Sequence, residues 1–175
     1  MTWEQYKLGD LGKTFTGLSG KNANDFGHGN GRYVTYMNVF SNTISNPSMV
    51  EKIEIDNSQN QVKFGDVFFT TSSETPEEVG MSSIWLNNKE NTYLNSFCFG
   101  FRPHFKFDLL YLGYMLRSPK FRKDIAILAQ GISRYNISKN KVMEINVLIP
   151  SLEEQNMIGA SLSKIDNLIT LHQRK

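Results

Sequence analysis

The most informative absences in this sequence concern disulfides and membrane segments. Among 175 residues there is one cysteine, Cys98, which cannot form an internal disulfide. The apolar runs are short and interrupted by polar residues, whereas a membrane-spanning helix needs roughly 20 apolar residues. The first residues lack the apolar stretch that a signal peptide requires. We therefore expect a cytoplasmic protein that does not bind membranes, with Cys98 as a small buried hydrophobic residue.

Sequence motifs for catalysis are also absent. Gly20 and Lys21 resemble part of a phosphate-binding loop, but Phe15 and Asn22 stand where that motif requires Gly and Ser or Thr. The three histidines share no ligand spacing with the cysteine, so no metal site is expected. No serine lies in a Gly-x-Ser-x-Gly elbow, no lysine follows a carboxylate by two residues as in many nucleases, and no loop matches that of an adenine methyltransferase. The sequence predicts a protein without catalytic activity or a cofactor of its own.

Charge is unevenly distributed along the chain, although the net charge is only +2. Residues 42–100 contain three Lys or Arg against eight Asp or Glu, a net charge of −5. Residues 101–141 contain nine Lys or Arg against two Asp or Glu, a net charge of +7. This asymmetry favours a surface that faces a polyanion. A solvated surface with locally clustered charge is the alternative.

The first two thirds of the chain are typical of strands joined by loops. Residues 16–32 contain five glycines and three asparagines, which predicts a long loop or a pair of turns. Residues 72–81 are polar and predict another loop. Runs of β-branched and aromatic residues predict strands at 33–40, 50–55, 67–71, 83–86 and 97–101.

Helices are predicted from residue 108 onwards. Asp108 can cap one helix, and Ser118 followed by Pro119 can begin a second, which Gly131 would end. Residues 144–149 predict a strand that Pro150 stops. A capping box formed by Ser151 and Glu154 then begins the last helix.

The last helix has an apolar seam formed by Ile158, Leu162, Ile165 and Ile169, and their spacing of four and three residues is that of a coiled coil. Such a stripe must pack either on its own domain or on a partner helix. The fold predicted from these elements is α+β, with a mostly antiparallel curved sheet, helices in the C-terminal half and a protruding C-terminal helix. The predicted domain boundaries are 1–150 for the globular domain and 151–175 for the start of the helix.

Four segments together carry a resemblance to a known family. They are residues 3–10 (WEQYKLGD), 63–67 (KFGDV), 131–138 (GISRYNIS) and 145–155 (INVLIPSLEEQ). They resemble the specificity subunits of type I restriction-modification systems. In that family a Gly-Ser/Thr-x-Arg-x-Asn-Ile-Ser turn leads to a strand, then to Pro-x-x-x-Glu-Gln, then to a long helix. The resemblance runs from the first residues of the chain to the last.

The resemblance implies a division of labour between subunits. A complete specificity subunit has two target-recognition domains separated by two long antiparallel helices, and each domain recognises half of a split DNA site. The helices dock methyltransferase subunits and, through them, the restriction and translocase subunit. S-adenosylmethionine, ATP and Mg would belong to those partners. This chain has one domain and the start of one helix, so we expect a half-subunit or a truncated subunit that pairs with a second copy or a second recognition half.

The function predicted on this basis is sequence-specific recognition of double-stranded DNA without catalysis. A protein-interaction module that uses only the C-terminal helix is one alternative. A small DNA-modifying enzyme with an unfamiliar motif is another.

The candidate DNA contacts are side chains that can donate to or accept from base edges, or neutralise phosphates. They lie in three segments, where loop solvation or turn formation is the alternative role. The candidates are Ser19, Lys21, Asn22, Asn24, Arg32, Thr71, Ser72, Ser73, Arg134, Tyr135, Asn136 and Lys139.

Overall fold

The computed structural model describes residues 3–173 and has a mixed α+β fold, as predicted. The strands are β1 (Glu4–Lys7), β2 (Gly12–Thr16), β3 (Phe26–Val34), β4 (Val50–Ile53), β5 (Val67–Thr70), β6 (Ser72–Ser73), β7 (Ser82–Ile84), β8 (Thr92–Leu94), β9 (Cys98–Pro103), β10 (Tyr135–Asn136) and β11 (Asn146–Ile149). The helices are α1 (Tyr36–Ser41), α2 (Leu109–Met115), α3 (Pro119–Leu128), α4 (Lys139–Met143) and α5 (Leu152–Gln173).

The strands form four small sheets rather than one continuous curved sheet. The largest has the order β2-β9-β5-β7 and is wholly antiparallel. A second has the order β4-β3-β8, in which β3 and β8 are parallel. The pairs β1-β11 and β6-β10 are antiparallel. Because β1 pairs with β11 and α5 follows β11, the beginning of the described chain lies beside the root of the last helix.

The central strand β5 is buried on both faces, which explains its uninterrupted apolar run. Val67 and Phe69 belong to the main core with α2 and α3, where the Phe69 and Phe99 rings stack at 5.1 Å between centroids. Phe68 faces the opposite side and packs in a second cluster with Trp85. Alternate residues of a strand point to opposite faces, so both faces of β5 require apolar side chains.

Cys98 is buried in the second cluster, as its aromatic neighbours predict. Burial raises the pKa of its thiol to about 12. The thiol therefore remains protonated at neutral pH, and Cys98 acts as a packing residue.

The prediction for residues 16–40 was wrong in two places. Residues 26–32 are not a loop but part of β3, because their glycines allow a bulge in which Phe26 and Gly31 both pair with Ile53. Gly29 has a φ of +90°, and a Cβ there would approach the Ile53 carbonyl oxygen to 2.6 Å. The predicted strand at 33–40 ends at Val34. The side chain of Thr35 then accepts a hydrogen bond from Asn38 N and begins α1.

The predicted helix starts are confirmed, because each depends on a local cap. Asp108 accepts a hydrogen bond from Tyr111 N at 2.7 Å, and Ser118 accepts one from Phe121 N at 3.4 Å. The second of these helices, α3, ends at Leu128, before the predicted terminator Gly131.

The root of α5 is fixed by contacts that the capping box does not include. Ser151 Oγ accepts from Glu154 N at 3.3 Å, but the Glu154 carboxylate accepts from Trp3 Nε1 at 3.1 Å instead of closing the box. Gln155 is buried, accepts from Asp108 N and donates to the Pro150 carbonyl, each at 3.0 Å.

Beyond this root, the apolar seam of α5 is largely uncovered. Ile158 is half-buried, whereas the side chains of Leu162, Ile165 and Ile169 are exposed. The predicted protruding helix is therefore confirmed. Ile158 and Leu162 line a pocket with Tyr111 and Tyr114 of α2, whereas Ile165 and Ile169 lie outside that pocket and are exposed. Among the helices of residues 3–173, none combines the length and apolar character needed to cross a membrane.

Two arginines of the helical half bind backbone carbonyls of the strand half. Arg117 donates from Nη2 to the carbonyls of Val39, Phe40 and Asn42 at 2.9, 2.9 and 3.1 Å, and from Nε to that of Ser82 at 2.6 Å. The three Nη2 acceptors lie at the C-terminal end of α1, where helical carbonyls have no partner within the helix. Burial lowers the pKa of Arg117 to about 10, so it remains charged at neutral pH.

Arg122 performs the same role for the loop before β7. It donates from Nη2 to the carbonyls of Glu77 and Val79 at 2.7 and 2.6 Å, and from Nη1 to that of Gly80 at 2.7 Å. The planar guanidinium suits this task because its five donors lie in a fixed geometry.

We expect Arg117→Lys to lower the free energy of unfolding by about 1–3 kcal/mol, because the ammonium keeps the charge but leaves buried carbonyls without donors. Urea denaturation of the full chain measures this change. Arg134→Lys makes the same exchange at an exposed position and should change stability by less than about 0.5 kcal/mol. Equal stability of Arg117→Lys and the parent would show that the carbonyls do not depend on the guanidinium.

Candidate nucleic-acid interface

Two of the predicted DNA-contacting segments, 71–73 and 134–136, meet directly although they are distant in sequence. Strand β6 pairs with β10 so that Tyr135 lies opposite Ser73 and Asn136 opposite Ser72. The Ile137 amide extends the pairing by donating to the Thr71 carbonyl at 2.9 Å. The two segments therefore form one surface.

A tight hairpin presents the second segment to solvent. Gln130 and Asn136 exchange both backbone hydrogen bonds at 2.9 Å, which closes the turn between them. Gly131 has a φ of +151°, and a Cβ there would lie 2.0 Å from the Arg134 carbonyl oxygen, so the turn requires glycine. At its tip Arg134 is exposed and Ile132 is 96% exposed.

The three predicted residues of segment 71–73 mainly hold this surface together through hydrogen bonds within the protein. Ser72 and Ser73 are buried, and the Ser72 carbonyl accepts from the hydroxyl of Tyr36 at 2.8 Å. Thr71 Oγ1 donates to the Phe97 carbonyl at 2.9 Å. Direct contact of these three side chains with DNA stays a prediction.

A groove lies beside this surface, which we call the α1 groove. It is lined by Tyr36, Met37, Phe40, Ser73, Glu74, Glu78, Phe97 and Arg134. Met37 and Phe97 are large, exposed and apolar, and sequence reasoning did not identify them as site residues. Sequence reasoning missed Met37 because it predicted a strand at 33–40. In the structure, Tyr36, Met37 and Phe40 lie on helix α1.

A second groove connects the N-terminal segment to the same region. Ser19, Thr71 and Lys139 line it together, with Ile137 at its wall. Three predicted residues from three separate segments thus share one depression. Ser19 is held there by its backbone, which exchanges hydrogen bonds with the side-chain amide of Gln59 at 3.0 and 3.1 Å.

Lys21 is engaged within the protein. Its ammonium lies 2.6 Å from an Asp56 carboxylate oxygen, and its side chain is only 13% exposed. The hydrogen bond that Lys21 donates to Asp56 raises the pKa of Lys21. The hydrogen bonds from Lys21 and Ser58 hold the pKa of Asp56 well below its usual range. This ion pair joins the N-terminal loop to residues 56–58.

The remaining N-terminal candidates lie outside the linings of both grooves. The side chain of Asn22 caps the short turn at 23–25 by accepting from Asn24 N at 2.9 Å. Asn24 is exposed, and Arg32 lies on β3 between β4 and β8.

Several cationic side chains of the basic stretch 101–141 are bound within the protein, so fewer are available to DNA than the sequence suggests. Arg102 binds Asp66 through two hydrogen bonds of 2.8 and 2.7 Å, and Lys120 pairs with Asp124 at 3.0 Å. The guanidinium groups of Arg117 and Arg122 are occupied by carbonyls. Arg134 and Lys139 are the cations of this stretch that line the two grooves. Within residues 3–173, no three His, Cys, Asp or Glu side chains are grouped as metal ligands.

Comparisons with known proteins agree with this architecture. The family model for the type I restriction modification DNA specificity domain matches residues 1–175. The specificity subunit of the type I restriction enzyme MjaVIII from Methanocaldococcus jannaschii is 33% identical over 70 residues, which cover 40% of this chain and 16% of that protein.

Solved structures with the same fold are known. The HsdS subunit from Thermoanaerobacter tengcongensis superposes with a TM-score of 0.68 at 19% identity, over 99% of this chain and 39% of that one. The S subunit of a type I restriction-modification system from M. genitalium gives a TM-score of 0.59 at 16% identity, over 94% of this chain and 39% of that one. This chain thus spans less than half the length of each relative. From the full-length match to the family model, we conclude that the chain belongs to the family of type I restriction modification DNA specificity domains.

Proposed function

We propose that this chain recognises double-stranded DNA in a sequence-specific manner, as the specificity component of a type I restriction-modification complex, and that it catalyses no reaction itself. The observation that carries the proposal is the convergence of segments 71–73 and 134–136 on one surface, with the exposed guanidinium of Arg134 at its edge. An exposed arginine next to polar backbone can donate to phosphates and to base edges.

The exposed seam of α5 supports a second part of the proposal, which concerns partners. A stripe of large apolar side chains without cover favours association with another helix. We propose that this helix belongs to a second copy or to a second recognition half. Methyltransferase subunits would dock on the paired helices and would themselves carry S-adenosylmethionine, with ATP and Mg on the restriction and translocase subunit.

DNA binding is tested by titrating the full chain with duplexes at several salt concentrations. Arg134→Ala should weaken binding: loss of a phosphate contact lowers the salt slope by about one unit, whereas loss of a base contact costs roughly 1–3 kcal/mol at one position. Lys21→Ala is also expected to weaken binding, because its loss removes a cation and releases the loop that Asp56 holds. Lys89→Ala, at an exposed turn outside both grooves, is the matched control. Unchanged binding in both variants, with folding intact by circular dichroism, would remove these two residues from the site.

The seam is tested by changing Leu162 and Ile165 together to lysine. We expect the parent to self-associate with increasing concentration, because each buried Leu or Ile side chain contributes about 1.5–3 kcal/mol. The double variant should remain folded and monomeric in sedimentation experiments. Asn156→Lys with Asn167→Lys adds the same charge at exposed polar positions of α5 and should still associate. If parent and seam variant are both monomeric at high concentration, the proposed pairing is wrong.

The absence of catalysis has a direct assay. Purified chain incubated with plasmid DNA, S-adenosylmethionine, ATP and Mg should neither transfer methyl groups nor cut the DNA. Turnover that copurifies with the chain, and that persists after repeated purification, would contradict the proposal.

A further inference from the structure

The α1 groove brings side chains of opposite charge to one DNA-facing surface. Arg134, Glu74 and Glu78 all line the groove. We infer that Arg134 and Glu78 together recognise one G·C base pair, with the guanidinium on guanine and the carboxylate on cytosine. This inference rests on the proposed DNA-binding function.

Glu78 is held in a defined position by its surroundings. Ser73 Oγ donates to Glu78 Oε2 at 3.3 Å, and the Glu78 amide donates to the Thr75 carbonyl. The backbone on both sides of Glu78 is fixed by Arg122, which binds the carbonyls of Glu77 and Val79. The carboxylate is therefore oriented before a ligand binds, and an ionised carboxylate with one donor retains further acceptor sites.

Arg134 reaches the same groove from β10. The pairing of Tyr135 with Ser73 places Arg134 next to the strand that leads to Glu74 and Glu78. Within residues 3–173, neither Arg134 nor Glu78 is part of an ion pair. The guanidinium donors are thus free for a ligand.

The chemistry of DNA explains why a carboxylate would lie in this surface. Phosphates repel a carboxylate, so Glu78 gains only from donors on base edges, which in the major groove are the amino groups of cytosine and adenine. In the major groove a G·C pair presents the cytosine N4 amino group beside the guanine O6 and N7 acceptors. An A·T pair also presents an amino group, but only guanine offers two adjacent acceptors that a guanidinium binds with two hydrogen bonds. A carboxylate and a guanidinium in one groove therefore match a G·C pair.

The apolar wall of the groove strengthens this recognition. Met37 and Phe97 are exposed in the free protein and lie on the groove that carries both charged groups. Covering them with a DNA duplex would exclude water from the hydrogen bonds of Arg134 and Glu78, which strengthens charged hydrogen bonds.

The test is selection of preferred sequences from a randomised duplex library by the full chain. The parent should select a motif that includes a G·C pair, and Glu78→Met should lose roughly tenfold or more of its discrimination at that pair only. Glu77→Met is the matched control, because it removes the same charge from the same loop outside the groove. Glu78→Gln should retain part of the preference, since its amide oxygen still accepts from cytosine.

Chemical replacement of the bases separates the two contacts. Substituting 7-deazaguanine should weaken binding by the parent but not by Arg134→Ala, and 2-pyrimidinone in place of cytosine should weaken the parent but not Glu78→Met. Ser73→Ala should reduce the preference at the same pair, because Ser73 positions Glu78. Ser83→Ala, at a buried serine outside both grooves, should not change it.

The possible failures are distinguishable. A parent that selects no motif and binds all duplexes weakly or not at all overturns the proposed function and this inference with it. A parent with a clear motif that Glu78→Met and Arg134→Ala leave unchanged overturns this inference alone. A preference that changes equally in Glu77→Met overturns it as well, because general charge would then be the cause.

Discussion

The fold depends above all on two half-buried guanidinium groups that, within residues 3–173, bind backbone carbonyls and no carboxylate. Arg117 satisfies the C-terminal carbonyls of α1, and Arg122 satisfies those of residues 77–80. Both arginines come from the helical half, while both acceptor segments belong to the strand half. Since α1 and Glu78 line the α1 groove, the position of that groove depends on contacts that Arg117 and Arg122 make outside it.

A small number of contacts likewise fixes the position of the protruding helix α5. Gln155 connects α5 to the start of α2 and to the end of β11 with one side-chain amide. Gly159 lets the two helices approach closely, because a Cβ there would lie 2.5 Å from a carboxylate oxygen of Asp108. The segment that resembles Pro-x-x-x-Glu-Gln in the family is thus a structural joint. It fixes the direction of α5 relative to the globular domain. The exposed apolar stripe of α5 therefore has a defined position relative to that domain.

The candidate interface illustrates how one residue type serves different purposes in one protein. Arg102, Arg117 and Arg122 stabilise the fold, whereas Arg134 is exposed at a hairpin tip. Burial distinguishes these roles, because a buried cation requires acceptors within the protein, while an exposed one retains its donors. Likewise Ser72 and Ser73 are buried and support neighbours, although serine in a predicted loop suggested direct contact with DNA.

The sequence by itself determined the features that depend on neighbouring residues. The caps Asp108 and Ser118, the apolar run of β5 and the seam of α5 all follow from interactions within a few residues or from a simple period. Tertiary structure alone decided the bulge of β3, the helix α1 in place of a strand, and the pairing of β6 with β10. It also decided which cations remained free, as the ion pair of Lys21 shows. The physical reason is that these outcomes depend on hydrogen bonds and packing between residues far apart in sequence, whose partners no local pattern specifies.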